Sequence, residues 1–509
     1  MRSKVTLLNM LSSLLFRVCL VISGFIIPRI VLHYFGSTMN GLVASISQFL
    51  KYIALIEGGV TAVVSANLYK PLVDADHDRL SSVISAAKRF YRGIGTIFIV
   101  YSLCLAVIYP LASGLDFLFA GSLTVILSIA LLMQYMFSIT YQTLFKADKK
   151  GYIVFLLQSA ITLLNVALVY VSIKIYPSIH LIYLINGLLY TIQPLIFDYY
   201  AKKYYAIDWK AKPDRNLLKD RWNGFAINLA AFIHNGTDVA VLTVFTGLPT
   251  VSVYSVYALV ASNGLKTLIQ SLVSGIDPAI GQIYARGDMK ALHQKMDLYE
   301  YIVFFLVFFL FTMGGLLITP FVMLYTKGVT DADYYQPLFG FLLVLAEAIY
   351  LLKSPHCTLA YSANQFKKLT VPAFMEAFLN IAVSIALIKH LGLIGVAIGT
   401  CVAMSYRMVF HIYFTTKIIP GRKQWFFYRK LLLFLAATGI GVSVCYFGLP
   451  LNEYSLLPWL LHAAAYAGIL GVLYLVLSVL FFRKELQFIF QYLIKRKQKH
   501  EGSAPIRCV

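Results

Sequence analysis

The chain has 509 residues, 60% of them hydrophobic and only 13% charged, and its 43 Lys and Arg outnumber 22 Asp and Glu to give a formal charge of +21. Soluble domains run near 45–50% apolar and about 25% charged, so this composition excludes a soluble globular protein and indicates a chain that sits in lipid along most of its length. In such a protein excess Lys and Arg is first a topology signal, and no nucleic-acid partner is needed to explain it.

A spanning helix needs about 20 mostly apolar residues, and fourteen runs qualify. In chain order they cover approximately residues 8–32, 40–66, 93–111, 117–141, 152–173, 179–199, 222–245, 251–275, 301–325, 334–356, 369–388, 393–415, 425–447 and 457–482. The first follows a short basic N-terminus (Arg2, Lys4) and contains no small-residue cleavage site, so it reads as a retained helix. Many run ends carry Tyr or Trp, as an interfacial aromatic belt requires. The six cysteines are scattered without C-x-x-C spacing and read as small core hydrophobes.

The connections alternate sharply in charge. One set holds 34 Lys and Arg; the other holds three, Lys174, Lys327 and Lys389. By the positive-inside rule the helix count is even and both termini are cytoplasmic. The poorly charged connections are short and leave no room for an external catalytic domain. On the basic side, residues 78–92 place Leu80, Val83, Ile84 and Ala87 on one face, which predicts a helix lying in the membrane interface. Residues 201–221 form the most basic linker and follow six helices. The expected organisation is a six-helix N-lobe (1–200), a basic cytoplasmic linker (201–221), a six-helix C-lobe (222–417), and a terminal helix pair with a basic tail (418–509).

Two stretches resemble each other. Around Gly36 the chain reads YFGSTMNGLVASISQFLKYIALIEGG and then ANLYKPLVDADHDRL; around Gly247 it reads FTGLPTVSVYSVYALVASNGLKTLIQSLVSG and then GQIYARGDMKAL. Both have a Gly-containing turn, a helix with a polar stripe, a Tyr-containing exit and an acidic turn, at an offset of 211 to 212 residues. The sequence thus predicts a parallel repeat of six helices, giving two lobes around a central cavity, because an even repeat enters the membrane from the same side each time.

Ionisable groups inside helices are costly, at least ~2.5 kcal/mol each at a helix centre, and default to functional hypotheses. Six cations lie there (Arg17, Arg29, Lys51, Lys266, Lys353, Arg407) with four acids (Glu57, Asp238, Glu347, Glu376), a surplus of +2. Asn40, Gln48 and Lys51 share one helical face, as do Ser262, Asn263, Lys266 and Gln270 in the second repeat. Arg17, Lys51, Lys266 and Arg407 are the candidates for binding a phosphate or pyrophosphate, with the polar residues lining the same cavity. Structural pairing with the buried acids is the alternative. Arg29 and Lys353 lie near helix ends, where snorkelling is the simpler account. Asp238, with Asn235 and His234 nearby, is a candidate for Na⁺ or H⁺ coupling or else a helix-helix polar contact; Glu57, Glu347 and Glu376 are further coupling candidates. No cofactor is implied. The sequence has no Walker A loop, H-E-x-x-H or G-x-S-x-G, so it reads as a transporter rather than an enzyme, driven by an ion gradient or a potential, or passive.

The segments SGFIIPRIVLHYFGSTMNGLVASISQFLKYIALIEGG, HNGTDVAVLTVF and VSVYSVYALV resemble the Wzx-type oligosaccharide flippases of the multidrug/oligosaccharidyl-lipid/polysaccharide (MOP) exporter superfamily. The resemblance implies an all-α, MATE-like fold of about fourteen transmembrane helices in a bacterial cytoplasmic (inner) membrane. It implies a lipid-linked oligosaccharide as cargo: undecaprenyl-pyrophosphate-linked repeat units of O-antigen lipopolysaccharide, capsule or exopolysaccharide, moved to the outer leaflet by alternating access. Membrane lipids and other polysaccharide-assembly proteins would be its partners. It also implies that Arg17, Lys51 and Lys266 line the cargo path. A peptidoglycan-precursor flippase, a MATE-type multidrug exporter, and a membrane polysaccharide polymerase or ligase are the alternative readings.

Overall fold

The backbone of a chain in lipid must satisfy its own hydrogen bonds, and helices do so within a single segment. A computed structural model describes residues 2–57, 59–208, 211–214, 225–451 and 453–489, with the side chains at 2, 3, 225–231 and 233–235 outside the description. Residues 209, 210 and 215–221 of the basic linker and most of the C-terminal tail therefore lie outside the described residues. Among the described residues all regular structure is helical, and eleven helices are long and apolar enough to cross a membrane. The chain is a multi-pass, all-α membrane protein.

The chain divides into two compact units, Met1–Ser255 with Gly328–Ala332, and Val256–Lys327 with Asp333–Val509. The first begins with α1 (Arg2–Lys51), which is interrupted at Gly36 (φ 79°). That left-handed angle suits glycine. After α1 come the short α2 (Ala54–Glu57), α3 (Val60–Asp74) and the long α4 (His77–Ser113). Next are α5 (Phe117–Met133), a π-helical segment (Gln134–Ser138), α6 (Ile139–Ala147), α7 (Gly151–Ile175), α8 (Ile179–Tyr204) and α9 (Phe225–Phe245). The helix α10 (Leu248–Ala258) continues through a second π segment (Leu259–Lys266) into α11 (Thr267–Val273). The second unit continues with α12 (Asp277–Ala285), α13 (Met289–Tyr325), α14 (Pro337–Leu352), α15 (Ser354–Ser362), α16 (Phe366–Leu391) and α17 (Leu393–Ile418). It ends with α18 (Trp425–Gly448) and α19 (Leu456–Phe481).

The backbone repeats itself. Left-handed residues occur at Gly36 and Gly247, at Ala75 and Gly287, and at Lys149 and Asn364, each pair 211 to 215 positions apart. Asp76 caps α4 by accepting from the Arg79 amide, and Asp288 caps α13 by accepting from the Ala291 amide. Both capped helices have 37 residues, and both α8 and α17 have 26. An Asp at the N-cap satisfies an otherwise orphaned amide, so its recurrence fixes the same helix start in each half.

One expectation is corrected. Residues 78–92 are not a separate interfacial helix; they are the first turns of α4, continuous with its apolar part. Leu80, Val83, Ile84 and Ala87 are buried in the first unit's core beside Val64 and Leu68 of α3. The amphipathic pattern is present, but another helix rather than lipid covers the apolar face.

The terminal pair is fastened to the second unit by buried charge. Glu300 of α13 is fully buried and accepts from Arg422 at 2.5 Å and from Lys430 of α18 at 2.9 Å. Asp297 takes a second bond from each cation, and His356 Nε2 lies 3.5 Å from Glu300. Burial opposes the Arg422 charge, yet Glu300 and Asp297 hold its pKa above the ordinary value. Around this cluster Phe304, Phe308, Phe427 and Phe434 interlock. Removing one partner of a buried ion cluster strands the other charges, at a cost of ~3–5 kcal/mol. Glu300→Ala is therefore expected to lower the thermal unfolding midpoint of the detergent-solubilised protein, and to open the α17–α18 connection to protease, more than Asp297→Ala does.

Candidate functional site

The polar stripe of α1 lies along α9 and the start of α10 within the first unit. Asn40 is buried and donates to the hydroxyls of Ser252 (2.8 Å) and Ser255 (3.2 Å). Ser45 meets Thr243 at 2.8 Å, and the Tyr52 hydroxyl donates to the Gly236 carbonyl at 3.0 Å. The Gln48 amide stands where any side chain on Gly236 would have to go, so the glycine permits this approach. Asp238 accepts from Tyr254 at 2.9 Å. Asn40 and Gln48, expected to line a cavity, thus sit in or beside a hydrogen-bonded helix seam. The side chains of Asn235 and His234 lie outside the described residues.

Lys51 ends this stripe at the last residue of α1. Its side chain is exposed, and among the described residues it has no ion-pair or hydrogen-bond partner. The next carboxylate along the chain, Glu57, instead accepts from the Thr61 hydroxyl, which lies 2.7 Å from the Tyr91 hydroxyl. The chain turns just beyond at Gly59 (φ 84°). Arg17 is exposed on α1 and Arg29 is half-buried.

In the second unit the charges form one continuous array. Lys266, the last residue of the second π segment, donates to both oxygens of Glu347 at 3.0 and 2.8 Å, and Ser262 donates to the same carboxylate. The Tyr350 ring lies between two ammonium groups, with its centroid 4.7 Å from Lys266 Nζ and 4.5 Å from Lys353 Nζ. Cations are attracted to aromatic faces at this range. Lys353 lies 3.5 Å from Glu376, and Arg407 lies 3.3 Å from the other oxygen of the same carboxylate. Arg407 also donates to His411 at 2.9 Å. Asn380 and Ser384 continue the Glu376 face and bond to each other at 3.3 Å. Asn263 is exposed and Gln270 half-buried.

Pairing accounts for three of the interior cations with only two carboxylates, because Glu376 serves two. The second unit therefore keeps a surplus of one positive charge in this array. Lys353 does not snorkel: it is 6% exposed and turned towards Glu376. Tyr350 had no place in the sequence reading, although Glu347, Tyr350 and Lys353 at successive steps of three share a helix face. Among the described residues no group of His, Cys, Asp and Glu is arranged to hold a metal ion. The second unit also holds an apolar cavity of about 380 Å³, lined by Phe308, Phe311, Phe341, Leu345, Met408 and Leu435 among others.

No family model matches the sequence, and no curated protein does. Solved structures do match. The structure of a lipid II flippase, MurJ, in an inward closed conformation superimposes with a TM-score of 0.73 at 14% identity, covering 94% of this chain and 100% of that one. An inward-facing multidrug resistance MATE family transporter of the MOP superfamily gives 0.58 at 15% identity, covering 79% and 96%. A eukaryotic MATE transporter gives 0.56 at 14% identity, covering 83% and 96%. At these identities the likeness is one of fold.

The contrast between Lys51 and Lys353 is directly measurable. Treating the folded, detergent-solubilised protein with a small amine-reactive reagent and reading the adducts by mass spectrometry should show rapid modification at Lys51 and protection at Lys353. Equal rates would contradict this geometry.

Proposed function

We propose that this protein is a flippase that moves a lipid-linked oligosaccharide, attached through pyrophosphate to a polyprenyl carrier, across a bacterial cytoplasmic membrane by alternating access. The observation that carries the reading is Lys51: an ammonium at a helix break, inside a MOP-type fold, with no counterion among the described residues. A charge in lipid without a partner is expensive, and an anionic cargo is the partner that offsets the cost. The second unit's positive surplus and its apolar cavity agree with a cargo that has an anionic head and a long apolar tail.

A cationic drug would call for surplus carboxylate instead, so the MATE-type exporter reading fits less well. A peptidoglycan-precursor flippase shares the anionic lipid headgroup, and the match to a lipid II flippase over nearly the whole chain favours it as the second reading. Polymerase or ligase chemistry finds no support in the geometry described. In the proposed orientation both termini are cytoplasmic, and polysaccharide-assembly proteins are the natural neighbours. Arg17 and Arg407 belong to the cargo path in this reading, with Asn263 and Gln270 as polar lining.

Lys266 is held by Glu347, so a proton on Glu347 releases the ammonium to the cargo phosphates. In this proposal Glu347 is the coupling group, with H⁺ as the coupling ion, because it is the carboxylate that holds Lys266; Glu57, Asp238 and Glu376 are secondary candidates, for Na⁺ as well as H⁺. In proteoliposomes loaded with a short polyprenyl-pyrophosphate saccharide, Lys51→Ala and Lys266→Ala should each slow translocation about tenfold, the scale of one lost charge-assisted contact. Lys51→Arg should retain activity. Normal transport by both alanine variants would sink the cationic mechanism. Glu347→Gln should flatten the dependence of transport on pH, and an unchanged pH profile would remove Glu347 from the coupling role. Deleting the gene and identifying which lipid-linked saccharide accumulates separates the two cargo readings.

A further inference from the structure

The first unit carries a basic groove that the cargo reading does not use. Lys88, Arg89 and Arg92 lie on α4, and Lys88 and Arg92 line two adjoining cavities of about 400 and 300 Å³. The first cavity adds the hydroxyl residues Ser81 and Ser85 and the carboxylate Asp208. The second is walled by Met133, Met136, Phe137 and Leu195, with Tyr141 and Asp198 at its polar end. Met136 and Phe137 belong to the π-helical segment, whose extra residue bulges from the helix. Asp198, held by the Tyr141 hydroxyl at 2.6 Å and by Lys202 at 2.6 Å, also attracts Lys88, so the groove sets Lys88, Arg89, Arg92 and Lys202 against two carboxylates, Asp198 and Asp208, and stays net positive.

We propose that this groove binds an anionic membrane phospholipid, with the phosphate between Lys88 and Arg92 and an acyl chain along Met133, Met136, Phe137 and Leu195. Depth supports it. The apolar part of α4 runs from Gly93 to Ser113, which spans roughly 30 Å, the thickness of the hydrocarbon layer. Lys88 and Arg92 therefore stand at the level of the headgroups, with the apolar walls beginning just below.

The repeat supplies an independent argument. In the shared register Lys88 corresponds to Glu300, Ser85 to Asp297, Tyr141 to His356 and Asp208 to Arg422. In the second unit that place is filled: α18 docks there, and its Lys430 joins Arg422 on Glu300. In the first unit the central charge is reversed, from Glu300 to Lys88, and the place is a pair of open cavities. The same backbone site that receives a cationic helix in one half thus offers cations to an anionic amphiphile in the other.

The test uses the full chain, stripped of lipid in detergent, titrated with phosphatidylglycerol or phosphatidylcholine and read by native mass spectrometry. No cargo is present, so the outcome is independent of the flippase reading. Phosphatidylglycerol should be retained about tenfold more tightly than phosphatidylcholine. The double variant Lys88→Ala/Arg92→Ala should lose that preference, while Lys88→Arg and the distant Lys389→Ala keep it, which separates loss of charge from loss of fold. Leu195→Trp, which narrows the apolar end and leaves the cations in place, should also weaken retention. Equal binding of the two lipids, or an unchanged preference in the double variant, overturns the proposal. So does displacement of the lipid by inorganic phosphate together with no effect of Leu195→Trp, since the site would then be one for free phosphate.

Discussion

A charge removed from water has to be met by another charge or returned to solvent, and in a protein surrounded by lipid the second route is mostly closed. Much of the described interior is arranged around that constraint. Glu300 is ringed by Arg422, Lys430 and His356, Glu347 is gripped by Lys266, and Glu376 stands between Lys353 and Arg407. These clusters join helices distant in sequence, so the demand for neutrality also sets which helices are neighbours. Lys51 departs from the pattern and is for that reason the most informative residue in the first unit.

The two halves share a backbone and differ in chemistry. Tyr135 and Tyr350 occupy equivalent positions, as do Asn165 and Asn380, but Gln193 stands in the first half where Arg407 stands in the second. The first half accordingly carries a neutral contact, Gln142 to Gln193 at 3.4 Å, in the region where the second carries ions. Helix lengths, caps and left-handed turns are set by local rules that both copies obey. The polar interior is free to diverge because each arrangement needs only to satisfy its own groups.

Much of the helical framework was legible in the sequence, because apolar runs and the punctuation between them are local. The offset between Gly36 and Gly247, and the acidic turns before Leu80 and Leu292, were visible for the same reason. Pairing was not. Lys266 and Glu347 lie 81 residues apart and Arg422 and Glu300 122 apart, and no local pattern says which of several distant acids a cation meets. Over residues 78–92, amphipathicity shows that a face is covered without showing by what, and the cover is α3. Asn40 has the same lesson: a polar stripe on a membrane helix marks contact with polar groups, and in this case they are the hydroxyls of Ser252 and Ser255.

The 37-residue length of α4 has a mechanical meaning. Its apolar part suffices to cross the bilayer, so the preceding turns from His77 to Arg92 form a rigid arm of ~24 Å projecting beyond it. If α4 stays straight through Gly93 and Gly95, a tilt of ~10° in the spanning part carries the far end of that arm by ~4 Å. The Lys88–Arg92 groove lies at the junction of the two parts, where the lever arm of such a tilt begins.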